Sequence, residues 1–175
     1  MRYVFSDPRA VHTGTGIAGR GTEEMKTNEI TNRYRVGMVG IGVELGRPGV
    51  GTRLKEAEKL TRRLAEIGVH FEPDNPLTEL MADRETGVLR DDVKDEKVLS
   101  AIVEFLTDHD RLPVVLRAIE EAAEEVETIF SVALIDRLTD DGETPNLNKS
   151  VEMGFVAGPS LKMNVELGKA GTTCE

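Results

Sequence analysis

Residues 42–60 read GVELGRPGVGTRLKEAEKL, and this stretch indicates how the chain folds. The apolar residues before Gly46 are typical of a strand, and the closely spaced glycines that follow predict a turn. Thr52 is a good N-cap residue for a helix. Apolar side chains then recur at helical spacing, at Leu54, Ala57, Leu60, Leu64 and Ile67. The stretch therefore predicts a strand, a glycine-rich turn and an amphipathic helix in direct succession.

Strands are predicted on both sides of this helix. Residues 33–45, RYRVGMVGIGVEL, have the composition of a largely buried strand. Gly68 stands where a helix commonly ends, and VHFE begins a new strand directly after it. This order fits either a right-handed crossover between parallel strands or the split βαβ unit of an α+β domain.

The elements that follow are predicted from shorter patterns. One helix is predicted to end near His109. Its apolar positions are Val98, Ile102, Phe105 and Leu106. A second helix opens at Pro113. Its outer face is acidic and carries Glu120, Glu121, Glu124 and Glu125. Residues 129–135, IFSVALI, are rich in β-formers and predict a strand.

Alternation of period two predicts a C-terminal antiparallel hairpin. Apolar side chains recur at every second position in residues 151–157, VEMGFVA, and 161–167, LKMNVEL, and the GPS between them supplies turn residues. Together the elements predict a single α+β domain over residues 1–175, with a mixed β-sheet and helices packed mainly on one face. Residues 6–26 are predicted to be a long glycine-rich loop, and residues 83–97 an acidic linker.

The charge of the chain limits its partners. The sequence has 32 acidic and 22 basic residues, a formal net charge of -10. Such a surface repels nucleic-acid phosphates and anionic lipid, so neither nucleic acid nor a membrane is an expected partner. The longest apolar run is far shorter than the ~20 residues of a membrane-spanning helix, and the N-terminus lacks a signal-peptide pattern. We therefore expect a cytoplasmic protein.

Composition indicates the habitat of the source organism. Charged residues make up 31% of the chain, glutamine is absent and Cys174 is the single cysteine. Heat-adapted proteins tend to have charge-rich surfaces and few thermolabile side chains. We expect a thermophilic, archaeal source. One cysteine also excludes a disulfide within the chain.

The turn after the first strand is the first candidate site. Helix N-termini bind phosphate through free backbone amides and the positive end of the helix dipole, and glycines let the backbone approach a ligand closely. The candidate ligand-binding residues here are Arg47, Gly49, Gly51, Thr52 and Arg53. Their spacing differs from both the P-loop and the dinucleotide-binding fingerprint. The plain alternative is a glycine-rich connection with a threonine cap.

The second candidate site lies in residues 6–24, SDPRAVHTGTGIAGRGTEE. Arg9 and Thr13 are candidate ligands for the same anion. His12 is the candidate catalytic residue, because an imidazole can act as acid or base near neutral pH. The alternative is a flexible N-terminal arm, or an arm that packs against a second subunit.

No metal site and no particular cofactor are predicted. His12, His70 and His109 are not spaced as metal ligands, and one cysteine does not supply a zinc-binding set. His109 is predicted at the C-terminal end of a helix, where the helix dipole favours a histidine.

Two functional hypotheses follow. The first is a protein that binds a small anionic or phosphorylated ligand at its glycine-rich loops, with the reaction unknown. The second is a non-catalytic accessory or assembly protein. It would be a homo-oligomer and would act through the C-terminal hairpin or the acidic helix face.

Overall fold

The computed structural model describes residues 35–47, 49–137 and 139–155. The strands are β1 (Met38–Leu45), β2 (Thr52–Arg53), β3 (His70–Phe71), β4 (Met81–Asp83), β5 (Val88–Leu89), β6 (Lys97–Val98), β7 (Ala101–Asp108) and β8 (Phe130–Asp136). The helices are α1 (Leu54–Glu66), α2 (Leu112–Ala123) and α3 (Pro145–Glu152). Short 3₁₀ turns cover Thr78–Leu80 and His109–Arg111.

The main sheet has four strands in the order β3–β7–β1–β8, and each neighbouring pair is antiparallel. It follows that β1 and β3 run parallel to each other with β7 between them. In the same way β7 and β8 run parallel with β1 between them. A helix joins the members of each pair, so the chain forms two interlocked split βαβ units, the βαββαβ topology of ferredoxin-like folds. The sequence was compatible with either a right-handed crossover between adjacent parallel strands or a split βαβ unit. The structure contains the split unit.

Both long helices pack on one face of this sheet. Val39, Ile41, Val43 and Leu45 alternate along β1, are each 0% exposed and share one core with the apolar faces of α1 and α2. Truncating a fully buried leucine such as Leu45 to alanine typically costs roughly 2–5 kcal/mol. The predicted α+β class and the packing of the helices on one face are confirmed.

The segment between β3 and β7 packs against α1. The Thr61 hydroxyl donates a hydrogen bond to the Gly87 carbonyl at 2.6 Å, and the Leu89 amide donates to Glu58 Oε2 at 2.8 Å. Apolar residues of the segment also join the core: Leu77, Leu80, Met81, Leu89 and Val93. Residues 83–97, predicted to be a linker, therefore contain β5 and contact α1 directly.

The predicted helix that ends near His109 is wrong, because residues 101–108 form β7. Every residue from 101 to 105 is buried, so both faces of this strand are covered. A strand covered on both faces lacks the alternation that identifies it, and its apolar run can match helical spacing by coincidence. His109 consequently lies in a turn before α2, and the C-terminal helix dipole does not explain it.

Two further sequence-based expectations differ in detail from the structure. All strand pairings in the described residues are antiparallel, so the sheet is antiparallel and not mixed. Val151 and Glu152, predicted to begin the C-terminal hairpin, belong to α3. The part of the hairpin after residue 155 lies outside the described residues, as does the predicted loop over residues 6–26.

A buried carboxylate joins α1 to the connection between α2 and β8. Glu56 is 4% exposed, and its Oε2 accepts hydrogen bonds from Lys59 Nζ at 2.7 Å and from the Glu127 amide at 2.9 Å. Burial acts to raise the pKa of Glu56, but these two hydrogen bonds and the charges of Lys59 and Lys55 lower that pKa below its ordinary value. Glu56 is therefore held as a carboxylate in the folded state.

We expect Glu56→Gln to lower the free energy of unfolding by about 1.5–3 kcal/mol at neutral pH, the range for a hydrogen bond to a charged group. The folded-state pKa of Glu56 lies below its unfolded value. Its contribution is therefore complete above the unfolded pKa and is lost as pH falls through the folded pKa. Urea unfolding of both proteins between about pH 7 and about pH 3 should show the difference shrinking in acid.

Glu66→Gln is the matched control, since it changes an exposed partner of Arg63 on the same helix. This variant should differ from the wild type by less than about 1 kcal/mol. A Glu56→Gln protein no less stable than the control at neutral pH would contradict the role assigned to Glu56.

Candidate functional site

The turn between β1 and β2 is closed by hydrogen bonds to a single carbonyl. Gly46 has a φ of 82°, and its oxygen accepts from the amides of Val50 at 3.1 Å and Gly51 at 2.9 Å. Its own amide donates to the Ile129 carbonyl at 2.8 Å, just before β8. A Cβ on Gly46 would lie 2.6 Å from the carbonyl carbon of Gly51. The turn is therefore fastened to the sheet in a shape that requires glycine.

The first amides of α1 already have protein partners. The Leu54 amide donates to the Glu96 carbonyl at 3.0 Å, and the Lys55 amide donates to the Lys94 carbonyl at 2.9 Å. The sequence-based hypothesis relied on free amides at this helix start. An anion could bind these two amides only if their bonds to the segment before β6 were broken.

Thr52 lies in β2 and not at the N-cap of α1. It pairs with Val98, is 3% exposed, and its hydroxyl donates to the Arg53 carbonyl at 3.1 Å. Arg53 occupies the N-cap position without a side-chain capping bond. The pairing of β2 with β6 keeps the chain extended for one residue more than the local sequence indicates.

The two arginines of the turn differ in their partners. Arg47 Nη1 lies 3.3 Å from Glu44 Oε2, so a carboxylate offsets its charge. Arg53 is exposed, and its Nη1 donates to the Asp95 carbonyl at 2.8 Å. A carbonyl group carries no formal charge, so the positive charge of Arg53 is not neutralised by this contact.

A lysine from the following segment joins Arg53. Lys97 is the direct cross-strand partner of Arg53 in the pairing of β2 with β6, and both side chains are exposed. The Lys97 side chain also lies over the turn, because its Cε is 3.4 Å from where a Cβ of Gly51 would stand. We call Gly51, Arg53 and Lys97 the basic corner.

The nearby Lys94 forms ion pairs with two carboxylates. Its Nζ lies 2.8 Å from Asp91 Oδ1 and 3.1 Å from Glu58 Oε2. The hydrogen bond to Asp91, followed by that to Glu58, raises the pKa of Lys94. Lys94 therefore fastens the segment before β6 to α1, whereas no ion pair joins Arg53 or Lys97 to another described residue.

The structure brings part of the predicted site together. Arg47, Gly49, Gly51, Thr52 and Arg53 all belong to the turn or to β2. Arg9, His12 and Thr13 lie outside the described residues. Lys97 was missed, because it falls in a segment predicted to be a linker and its pairing with Arg53 depends on a contact between distant parts of the chain.

Comparison with protein-family models, with curated proteins and with solved structures gave no match for this chain. Within the part of the chain that the structure describes, no group of three or more His, Cys, Asp or Glu side chains could hold a metal ion. In the same part of the chain, no helix has the length and apolar composition needed to cross a membrane.

The turn gives a matched pair of glycine substitutions. Gly49→Ala should cost about 1–2 kcal/mol, because Gly49 has a φ of 70° but no atom lies within 4 Å of an added methyl group. Gly46→Ala should cost about 1–3 kcal/mol more, because its methyl group also meets backbone. Chemical denaturation of the two variants measures the difference. Equal losses would contradict the close approach of Gly46 to Gly51.

Proposed function

We propose that this protein binds a small phosphorylated or otherwise anionic ligand at the basic corner. The observation that carries the proposal is the direct cross-strand pairing of Arg53 with Lys97, two exposed cations beside a glycine turn. Like charges directly opposite each other on paired strands are destabilising. An anion bound between them would relieve that repulsion.

The chemistry of the two side chains suits an oxyanion. The guanidinium of Arg53 uses Nη1 for the Asp95 carbonyl, and its remaining N–H groups are donors of the kind that bind phosphate or carboxylate. The ammonium group of Lys97 is a compact charge with three donors. Gly51 has no side chain to stand between the ligand and the turn. The charged side chains of Arg53 and Lys97 would therefore bind the anion, whereas the sequence-based hypothesis assigned this binding to the amides at the helix start.

The surrounding charge sets the expected strength of binding. Asp95 and Glu96 precede Lys97 directly in the sequence, and the chain as a whole has a formal net charge of -10. Exposed charges more than about 10 Å apart are largely screened at ordinary salt, so the two nearby carboxylates matter more than the net charge. We expect weak, salt-dependent binding of a simple anion and tighter binding of a ligand with additional contacts.

A second candidate function is assembly with a basic partner through the acidic face of α2 and the residues after it. Glu120, Glu124 and Glu125 are exposed, and no described residue forms an ion pair with them. Glu121 differs because it binds Arg63. This concentration of unpaired carboxylates favours a docking role for the face.

Native mass spectrometry of the freshly purified protein separates the two functions. A retained small anion would support the basic corner as a ligand site. A defined oligomer or a co-purifying basic protein, with no small molecule bound, would favour assembly.

We expect inorganic phosphate to raise the Tm of the wild-type protein at constant ionic strength. For a dissociation constant of about 1 mM, phosphate at about 10 mM would stabilise the protein by about 1.4 kcal/mol and raise Tm by about 3–6 °C. Arg53→Gln and Lys97→Gln should each lose most of that shift. Differential scanning fluorimetry at several phosphate concentrations makes the measurement.

Arg62→Gln is the control, because it removes the same charge from an exposed position of α1. It should keep the full phosphate-dependent shift. The proposal fails if phosphate leaves the wild-type Tm unchanged, or if the control loses as much of the shift as Arg53→Gln and Lys97→Gln do.

A further inference from the structure

A continuous chain of hydrogen bonds joins β8, α3 and the turn after β7. Asn146 Nδ2 donates to Asp136 Oδ1 at 2.6 Å, and Asn146 Oδ1 lies 2.5 Å from His109 Nδ1. Asp136 Oδ2 also accepts from the amides of Asn146 at 2.7 Å and Leu147 at 3.1 Å, at the start of α3. We call Asp136, Asn146 and His109 the polar relay.

The direction of these bonds fixes the tautomer of His109. The Asp136 carboxylate is an acceptor throughout, so the amide group of Asn146 must present its NH₂ to Asp136. The Asn146 oxygen is then directed at His109 and can only accept. His109 Nδ1 must therefore carry a hydrogen, which leaves a lone pair on Nε2 in the neutral imidazole. No hydrogen bond joins Nε2 to another residue in the described part of the chain.

The burial of Asn146 holds the His109 ring in this orientation. Asn146 is 2% exposed, whereas His109 is half-buried. The His109 backbone is held as well, because its amide donates to the Gly37 carbonyl at 2.8 Å and its carbonyl accepts from Lys149 Nζ at 3.1 Å. A histidine that only filled space would not need a buried amide side chain to orient its ring.

A second polar group lies at the same end of the sheet. Thr107 and Asp136 are the two cross-strand neighbours of Val39, so all three share the helix-facing side of one row. Thr107 is 6% exposed, and its hydroxyl has no hydrogen-bond partner in the described residues. Buried hydroxyl groups are normally hydrogen-bonded, and an exception needs an explanation. A small polar ligand at this end of the sheet would supply the missing partner.

We propose that this end of the sheet is a second site, in which His109 Nε2 accepts a proton or a hydrogen bond from a small ligand that bears a hydroxyl group. Asn146 and Asp136 are positioning residues that hold the imidazole in the required tautomer. If the ligand hydroxyl gives up its proton, Nε2 takes it and the resulting imidazolium still donates to Asn146 through Nδ1. The site is independent of the basic corner, which lies at the opposite end of β1.

The relay could instead serve only to fasten α3 to the sheet. That role requires His109 Nδ1 to donate a hydrogen bond to Asn146 and places no requirement on Nε2. His109→Asn separates the two roles, because the asparagine amide nitrogen stands near the place of Nδ1 and the variant has no counterpart of Nε2. His109→Asn should therefore keep the fold, and glycerol as a hydroxyl-bearing probe should shift the amide signals around His109 and Thr107 in the wild-type protein but not in His109→Asn. No shift in the wild type, or equal shifts in the two proteins, would overturn the proposal.

The test combines a spectroscopic and a chemical measurement on the full-length protein. Long-range ¹H–¹⁵N correlation spectra should show His109 as the Nδ1–H tautomer, and Asn146→Ala should shift the ring toward the Nε2–H form.

The chemical probe is diethyl pyrocarbonate. A bond forms between Nε2 and the carbonyl carbon, the anhydride bond breaks, and the leaving ethyl carbonate gives ethanol and carbon dioxide while the Nδ1 proton passes to solvent.

The exposed His70 is the internal standard for that reaction. We expect His109 of the wild-type protein to be modified at Nε2 at least as fast as His70, and its modification to slow several-fold in Asn146→Ala. A predominant Nε2–H tautomer in the wild type would overturn the proposal. So would an unmodified His109 under conditions in which His70 reacts completely, or an unchanged tautomer in Asn146→Ala.

Discussion

The pairing register of β1 governs the arrangement of the main sheet and of the helices packed on it. β1 pairs along its whole length with β7 on one side, and from Val39 to Leu45 with β8 on the other. Its helix-facing side chains have no exposed surface. A slip by one residue would turn Gly40, Gly42 and Glu44 toward the helices and remove the apolar row from the core. The two neighbouring strands and the two long helices are therefore placed by one strand.

A fixed β1 places different chemistry at its two ends. After Leu45 the chain enters the glycine turn and the basic corner. Before Met38, the Gly37 carbonyl receives the amide of His109, next to the polar relay. An eight-residue strand is about 27 Å long, so one small ligand cannot occupy both places. The βαββαβ arrangement thus gives the molecule two separate polar corners with opposite character, one cationic and one built around a proton acceptor.

Several carboxylates of this acidic chain have structural roles. Glu56 accepts the Glu127 amide, Glu58 accepts the Leu89 amide, and Asp136 accepts two amides at the start of α3. Each of these bonds joins elements separated by a loop, and a charged acceptor makes a stronger hydrogen bond than a neutral one. Part of the negative charge is therefore used inside the fold. The formal net charge overstates how uniformly acidic the surface is, and a local cationic corner is compatible with it.

Features that depend on neighbouring residues could be predicted from the amino-acid sequence. Periodicity predicted α1 and α2, the run of β-forming residues at 129–135 predicted β8, and the glycines after Leu45 predicted the turn, because each signal is complete within a short stretch. The spacing of Val98, Ile102, Phe105 and Leu106 failed for β7, since burial on both faces removes the alternation of a strand.

The contacts between distant residues could not be predicted in this way, because they depend on how the elements pack. The tertiary structure placed Lys97 opposite Arg53, gave the first amides of α1 to the segment before β6, and brought Asn146 to His109 across 37 residues. Such contacts leave no local pattern. They arise because the core fixes where each element lies, and the polar side chains at the ends of those elements then pair with whatever the packing brings within hydrogen-bonding distance.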